Sequence, residues 1–263
     1  MSFAILGHGR FGQALAGLLR EAGHAVRAWD PHAEVPVDYA ADSIDAALEG
    51  ASWVVLAMPV PQMDAALRAL RPRLRPEHTV IDVGSVKLQP CALMDELLGD
   101  AIPHVGTHPL FGPLSLARGE RPLRVVVCAS ARHPAAAERV TALFAGLGCE
   151  VIAQEPAAHD RAMAHTHALA FFIAKGLVDM GVDDELAVAP PSFLGLKAML
   201  AAVRGDAGHL FAAIQQENPF AEQARAELLA TLQGIHRRLV GDGDGDGDGD
   251  DAALAISERR DRD

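Results

Sequence analysis

The chain has 263 residues, half of them hydrophobic, and a formal net charge of −12. That length suffices for two domains with buried cores, and the acidic balance argues against nucleic-acid binding, which requires clustered Lys and Arg. The cysteines Cys91, Cys128 and Cys149 have no metal-ligand spacing and are typical of buried thiols in a reducing compartment. With no signal peptide and no apolar run of membrane-spanning length, we expect a soluble, cytoplasmic protein.

A dinucleotide-binding pattern opens the chain. A strand-length apolar run at residues 2–6 is followed at once by Gly7, His8, Gly9, Arg10, Phe11 and Gly12. Apolar residues at helical spacing come next. In this context Gly7 permits the tight turn, Gly9 lets the backbone approach a pyrophosphate, and Gly12 lets the helix pack on the strand. We predict that residues 7–12 and the helix N-terminus bind a dinucleotide's phosphates.

The second predicted strand, residues 25–29, ends at Asp30. An acidic residue about 20 positions beyond the glycines can accept hydrogen bonds from the adenosine ribose and repels a 2′-phosphate. Asp30 therefore favours NAD over NADP as the cofactor. The alternative interpretation is that Asp30 and Pro31 merely open a turn.

Strands and helices alternate through the first part of the chain. After residue 43 the predicted strands are 52–57, 79–83, 123–128 and 149–153, separated by helices that start near residues 43, 61, 90 and 134. This alternation predicts a Rossmann-type α/β domain with a parallel sheet over residues 1–154.

Ligands of such sheets lie beyond the carboxyl ends of the strands. The glycine loop, Met58 and Pro59, the segment Gly84–Lys87, and Thr107 with His108 all occupy that edge. His108 has little freedom because Pro109 and Pro113 each fix a φ angle. The pattern favours a catalytic base held rigidly at a strand end over a surface loop that happens to contain a histidine.

The remainder of the chain has a helical pattern. We assign residues 155–240 to a helical domain and the five Gly-Asp repeats with the charged end, residues 241–263, to a disordered tail. His159, His165 and His167 lie within nine residues but lack the i, i+4 histidine pair of a zinc-binding helix. We therefore predict no metal site.

Several segments resemble the prephenate and arogenate dehydrogenase family of tyrosine biosynthesis. They are Gly7–Gly12, Asp82–Lys87, Gly106–Pro113, Glu155–Asp160, His167–Phe171 and Gly205–Pro219, and the resemblance extends over roughly residues 2–235. It implies a Rossmann domain, an all-helical C-terminal domain through which the chain forms a homodimer, and a small-molecule substrate. The implied reaction is NAD-dependent oxidative decarboxylation of prephenate, with arogenate as a further or the sole substrate.

The resemblance also implies roles for individual residues. His108 is the general base, and Ser85 hydrogen-bonds either the substrate hydroxyl or His108. Thr107 contributes to the substrate site, and His167 lies near substrate and nicotinamide. Met58, Pro59 and Ser85 contact the cofactor, while Lys87 either contacts it or stabilises the loop.

One feature departs from the family pattern. Many prephenate-specific members place an arginine about nine residues before an aromatic residue to hold the substrate side-chain carboxylate, but counting back from Phe211 gives Ala202. Lys197 and Arg204 are the nearby cations. Asp206 or Glu217 could pair with the ammonium group of arogenate.

Two other functions are compatible with a Rossmann domain followed by helices. A β-hydroxyacid or imine dehydrogenase would need a catalytic lysine in the helical domain, where Lys175 and Lys197 are the candidates. This alternative does not explain the segment Gly106–Pro113. A non-enzymatic sensor of NAD(H) would bind cofactor but would not need Ser85 or His108.

Overall fold

A computed structural model of the protein describes residues 1–182, 190–205 and 208–241. Its strands are β1 Ser2–Leu6, β2 Ala25–Trp29, β3 Trp53–Leu56, β4 Thr79–Asp82, β5 His104–Pro109, β6 Leu123–Ala129 and β7 Cys149–Ala153. The helices of the first part are α1 Arg10–Glu21, α2 Ile44–Leu48, α3 Met63–Leu70, α4 Leu88–Leu98, α5 Pro113–Ala117 and α6 Pro134–Gly146. Those that follow β7 are α7 Pro156–Met163, α8 Leu169–Asp179, α9 Pro191–Arg204, α10 His209–Ala212 and α11 Ala221–Val240.

The strands of the described residues form one seven-stranded sheet in the order β2-β1-β3-β4-β5-β6-β7. Strands β1 to β5 are parallel, which confirms the predicted Rossmann-type architecture. The predicted parallel sheet has one exception, because β6 runs antiparallel to β5. Only the five-residue α5, which fully buries none of its residues, stands between these two strands. No long crossover helix carries the chain back to the starting edge, so β6 returns beside β5 in the opposite direction.

The core fills both faces of the sheet because successive strand residues point to opposite sides. Phe3 and Ile5 belong to the cluster that packs under α1 and α6. Ala4 and Leu6 belong to the cluster under α2, α3 and α4. The result is a three-layer arrangement that fixes the carboxyl ends of β1 to β5 at one edge.

Most of the predicted elements lie within one or two residues of the observed ones. The helix over 134–146 and the strand over 149–153 have the predicted bounds. The helix predicted from residue 61 begins at Met63, after a short 3-10 turn at Val60–Gln62.

From Pro156 onward the described residues contain helices and no strand. Two π-helical turns, Ala164–Ala168 and Ala213–Glu217, interrupt them. Their buried apolar clusters are small, one around Ala168 and Ile214 and another around Ala174 and Leu200. The boundary that we predict at residue 154 coincides with the end of β7 but stays a prediction as a domain boundary.

Two compact units are distinguished, residues 1–225 and 226–263. The first contains the sheet and the helices up to the start of α11. In the second, the described residues continue α11 to Val240. The predicted disordered tail, apart from Gly241, lies outside the described residues. No helix in the described ranges is both long enough and apolar enough to cross a membrane.

Candidate active site

The glycine loop between β1 and α1 has the geometry of a phosphate-binding turn. Gly7 adopts a φ of +105°, and a Cβ there would strike the carbonyl oxygen of Ala57. A Cβ on Gly12 would strike the carbonyl oxygen of Gly7, so this glycine lets α1 pack close to the strand. Gly9 caps α1, and its Cβ position has open space around it. The backbone N–H groups at this helix start are therefore accessible to an anion.

Met58 and Pro59 follow β3 beside this loop. Strand β3 pairs with β1, and the backbone N–H of Ala57 donates to the carbonyl oxygen of Leu6 at 2.8 Å. The two predicted cofactor contacts therefore lie at the same edge as Gly7. Met58 is half-buried and Pro59 is exposed.

Asp30 stands at the end of β2 and is tied to the glycine loop. Its carboxylate accepts hydrogen bonds from the backbone N–H groups of His8 at 2.6 Å, and of His32 and Ala33 at 2.8 Å each. Burial alone would raise the pKa of Asp30, but these three hydrogen bonds outweigh it and lower the pKa. A carboxylate has about four acceptor positions, so about one remains for a ribose hydroxyl.

His8 joins the glycine loop to the segment after β2. Its Nδ1 lies 2.9 Å from the carbonyl oxygen of Glu34, which can only accept, so Nδ1 carries the proton. Its Nε2 then accepts from the hydroxyl of Tyr39 at 2.8 Å. His8 is buried, so we read it as a residue that shapes the cofactor loop from behind.

A fully buried ion pair holds the end of β4. The ammonium group of Lys87 pairs with the carboxylate of Asp82, and neither side chain is exposed. The same carboxylate accepts from the backbone N–H of Gly84 at 3.0 Å. Lys87 therefore takes the second of its two predicted roles, stabilising the loop, because its only charged group is already paired and buried.

Thr107 is also hydrogen-bonded to Asp82. Its hydroxyl donates to the carbonyl oxygen of Asp82 at 2.5 Å, and its side chain is fully buried. The predicted contact of Thr107 with the substrate is thus corrected for its side chain. The residue points into the sheet and fixes β5 against β4.

Ser85 lies in the loop after β4 and is half-buried. Within the part of the chain that is described, its hydroxyl has no hydrogen-bond partner. The hydrogen bond that orients His108 comes from another residue. The contacts of Ser85 with a substrate hydroxyl and with the cofactor stay predictions.

His108 lies near the end of β5 and pairs with Val126 of β6. The sheet therefore holds its backbone in place. Only 3% of His108 is exposed. The pKa of the imidazole is lowered well below its ordinary value of 6.5, first by burial and then by the neighbouring charges of His159, Lys87 and His167. The ring is therefore uncharged at neutral pH, which a general base requires.

His159 and Asp160 on α7 complete a chain of hydrogen bonds with His108. Nδ1 of His108 lies 2.8 Å from Nε2 of His159, and Nδ1 of His159 lies 2.7 Å from Oδ1 of Asp160. Both residues of α7 are fully buried. The Asp160 carboxylate also accepts from the backbone N–H groups of Lys87 at 2.7 Å and of Leu88 at 2.8 Å.

The ring of His167 also lies next to that of His108. The two rings are nearly parallel, with 6.2 Å between their centroids and 15° between their planes. Phe171 packs edge-on against His167 at 4.8 Å. Burial first, and then the charge of His159, lower the pKa of His167 to about 4. The structure thus brings the two predicted site histidines together.

Arg204 and Lys197, the two cations predicted to hold the substrate carboxylate, lie at different positions along α9. The guanidinium of Arg10 in the glycine loop donates to the carbonyl oxygen of Gly205, directly after the helix. Arg204 is therefore at the end of α9 that contacts the cofactor loop, and it donates to the carbonyl oxygen of Val182 at 2.7 Å. Lys197 is exposed and lies two turns earlier, about 10 Å along the axis. Asp206 lies outside the described residues.

The sequence predicted neither His159 nor Asp160 as a site residue. Adjacent residues of a helix point about 100° apart, so the spacing does not indicate that both side chains serve one site. The available signal was the presence of two charged or titratable residues at a helix start inside a motif shared with the family. Charged residues are rarely fully buried unless they are paired, but burial cannot be read from one sequence.

Comparison with known proteins identifies the family of the chain. Residues 9–152, more than half of the chain, match the family model "Prephenate dehydrogenase, nucleotide-binding domain". A 4-amino-4-deoxyprephenate dehydrogenase of Streptomyces pristinaespiralis is 32% identical over 189 residues, which cover 70% of this chain and 62% of that protein. A probable arogenate/prephenate dehydrogenase of Methanocaldococcus jannaschii is 26% identical over 196 residues, which cover 71% and 43%. The chain thus spans less than two thirds of the length of both relatives.

Among solved structures, a prephenate dehydrogenase from A. aeolicus, in complex with hydroxyphenyl propionate and NAD+, has the same fold. The TM-score is 0.70 at 20% identity, over 91% of each chain. The family-model match carries the assignment. This chain belongs to the prephenate dehydrogenase family, whose nucleotide-binding domain it contains.

Proposed function

We propose that the protein catalyses the NAD-dependent oxidative decarboxylation of prephenate, with arogenate as a further substrate. The observation that carries the proposal is a buried, uncharged His108 stacked on His167, at the sheet edge where the glycine loop also lies. A strictly arogenate-specific enzyme is the alternative within this proposal. The imine-reductase type is disfavoured because its two candidate lysines do not face His108 in a buried site: Lys175 pairs with Asp179 on the surface of α8, and Lys197 is exposed on α9.

The glycine loop, the start of α1 and Asp30 are the residues that would hold NAD. The open space at Gly9 and the free acceptor position on Asp30 fit a pyrophosphate and a ribose. When bound, NAD supplies the acceptor for the hydride that leaves C4 of the substrate ring. The Asp30 carboxylate would repel the additional phosphate of NADP.

The chain's own residues carry the proton chemistry. His108 takes the proton of the C4 hydroxyl while the C4–H bond breaks, and Ser85 hydrogen-bonds the same hydroxyl. The ring becomes a dienone whose C1 carboxylate leaves as CO2, and the gain of aromaticity makes this step irreversible. His167 stays uncharged at neutral pH and can hydrogen-bond the substrate without competing for the proton.

A second candidate substrate has an amino group at C4. The relative named 4-amino-4-deoxyprephenate dehydrogenase is 32% identical to this chain. A neutral amine can release hydride to give an iminium without losing a proton, so that reaction depends less on a base than the reaction of the hydroxyl compound. The two substrates therefore make different demands on His108.

The proposal is tested by offering the purified protein NAD with each of the three compounds. Formation of reduced nicotinamide with prephenate supports the proposal, and a higher kcat/KM with arogenate supports the alternative. Activity with only the 4-amino compound would replace the proposed substrate by the second candidate. No reduction with any of them would contradict an enzymatic function of this family.

We also propose a homodimer formed through the helical region. In the second unit, the exposed large apolar side chains of α11 are Leu229, Leu232, Ile235, Leu239 and Val240. Exposed apolar side chains in such number indicate a protein contact. Leu232→Glu with Leu239→Glu should convert a dimer to a monomer in sedimentation experiments, and Gln233→Glu on the same helix is the matched control. A wild type that is monomeric at micromolar concentration would overturn this proposal.

A further inference from the structure

The hydrogen-bond chain behind His108 has only one consistent arrangement of protons in its neutral state. The two backbone N–H groups at the start of α4 can only donate, so both oxygens of the Asp160 carboxylate are acceptors. Oδ1 also faces Nδ1 of His159 at 2.7 Å. Nδ1 of His159 therefore carries a proton, and Nε2 of a neutral His159 has a lone pair.

The tautomer of His108 follows from that of His159. Its Nδ1, 2.8 Å from the lone pair on His159 Nε2, must carry a proton. Nε2 of His108 is then the unprotonated nitrogen. Every fully buried side-chain nitrogen and oxygen of the described residues has a hydrogen-bond partner. Nε2 of His108 has none, so it is accessible and is the nitrogen available to a substrate.

The groups around the two rings favour a positive charge on His159 over one on His108. His108 is buried, and it is faced by the ammonium of Lys87, which Asp82 pairs, and by the ring of His167. None of these groups favours a cation on His108. A cation on His159 would lie 2.7 Å from the Asp160 carboxylate, and this carboxylate is held at the N-terminus of α4.

A further hydrogen bond holds the backbone of Asp160 in place. The side-chain amide of Asn218 donates to the backbone carbonyl oxygen of Asp160 at 2.8 Å, and Asn218 is buried. Its own side-chain oxygen accepts from the backbone N–H of Phe220 at 3.0 Å. Asp160 thus connects α7 to the loop that carries Ser85.

We propose that His159 and Asp160 act as positioning residues and form a proton relay with His108. Nε2 of His108 accepts the proton of the substrate hydroxyl, and the Nδ1 proton of His108 passes to Nε2 of His159. The positive charge then rests beside the Asp160 carboxylate, and His108 stays neutral throughout. No proton is gained or lost beyond the one that the substrate supplies. The relay rests on the proposed function for its substrate but not for its geometry.

The first test measures the tautomers in the full chain by nitrogen-15 NMR of the histidine rings, without substrate. At pH 8 we expect His108 to carry its proton on Nδ1, with Nε2 unprotonated. On acidification the first additional proton should make His159 an imidazolium and move the His108 proton to Nε2. An unprotonated Nδ1 on His108 at pH 8, or a His108 that becomes charged before His159, would overturn the relay. This result stands even if none of the three compounds is a substrate.

The second test compares pH profiles of kcat/KM. His159→Gln keeps an acceptor near the position of Nε2 but cannot hold the charge, so the cation must sit on buried His108. We expect the plateau rate to fall about 10- to 100-fold and the acid limb to move to lower pH by about one unit or more. Exposed His165→Gln serves as control and should leave both unchanged. A lower plateau with an unmoved acid limb would reduce His159 to a structural role.

Discussion

The rings of His108 and His167 lie nearly parallel, 15° apart in plane and 6.2 Å apart at their centroids, although 58 residues and two strands, β6 and β7, lie between them along the chain. His108 is the last residue but one of strand β5, and His167 lies on a π-helical turn. Both have lowered pKa values because of burial. A pair of uncharged imidazoles therefore lies at the proposed site of proton removal.

Replacement of His108 by Asn should retain the fold and the affinity for NAD but lower kcat with prephenate by about 10²–10⁴-fold. The reason is loss of the only accessible proton acceptor on β5. Steady-state kinetics and a fluorescence titration with NAD measure the two quantities. His165→Asn, at an exposed position of the π-helical turn that also carries His167, is the control. Near-normal turnover of the His108 variant would remove this residue from the mechanism.

The same variant also discriminates between the hydroxyl and amino substrates. If the enzyme uses 4-amino-4-deoxyprephenate, His108→Asn should reduce kcat for that compound far less than for prephenate, because hydride loss from a neutral amine requires no base. The comparison uses one protein preparation and both compounds, at a pH high enough for the amine to be neutral, because the ammonium form would have to lose a proton before hydride can leave. Equal losses for the two substrates would show that His108 acts by a means other than proton abstraction.

Asp30→Ala should weaken NAD binding by about tenfold or more and improve the relative use of NADP. Hydrogen bonds to a charged group contribute about 1.5–3 kcal/mol, and the substitution also removes the repulsion of the 2′-phosphate. The ratio of kcat/KM for the two cofactors is the measurement. Asp30→Asn, which keeps an acceptor oxygen but no charge, separates the two effects. A wild type that already prefers NADP would contradict the role of Asp30.

Arg204 is expected to hold the substrate side-chain carboxylate, because it stands at the end of α9 whose next residue contacts the cofactor loop through Arg10. Arg204→Ala should lower kcat/KM for prephenate at least about tenfold, since a charged grip contributes about 1.5–3 kcal/mol. Lys197→Ala, two turns away, is the matched comparison and should change little. A loss with Lys197→Ala alone would reverse the assignment.

His167 should make the folded state less stable in acid. Its folded pKa is about 4, whereas the unfolded value is about 6.5. The unfolded chain therefore binds more protons between these values, and the free energy of unfolding decreases as the pH falls from about 6.5 to about 4. The contribution is of the order of 1–3 kcal/mol. Urea unfolding of wild type and His167→Gln at several pH values measures it, and parallel pH dependences in the two proteins would contradict it.

The sequence predicted the elements that carry the site better than the contacts within it. Glycine spacing after β1 and the acidic residue after β2 depend on local rules, and they predicted the loop at Gly7 and the position of Asp30. The reversal of β6 depends on how the segment 110–122 packs, which no local pattern determines. The same holds for Lys87, whose burial follows from its partner Asp82 on the preceding strand.

The pH behaviour of His108 is another property that the sequence alone could not predict. From the unperturbed imidazole we predict an acid inflection near pH 6.5. The structure lowers the pKa of His108 well below that value, and burial is the largest cause. The structure also couples the His108 ring to His159. The acid limb of the pH profile of kcat/KM therefore belongs to the pair and not to one residue. Long-range contacts of this kind, between β5 and α7, cannot be derived from spacing along the chain.

The most direct measurement of the central claim is a product balance in a single assay. Prephenate labelled in the ring carboxylate is mixed with NAD and the purified protein, and reduced nicotinamide and labelled CO2 are followed together. The proposed function predicts equal amounts of both, formed at the same rate, and a common loss of about 10²–10⁴-fold in rate for His108→Asn. Formation of reduced nicotinamide without CO2, or no dependence on His108, would contradict it.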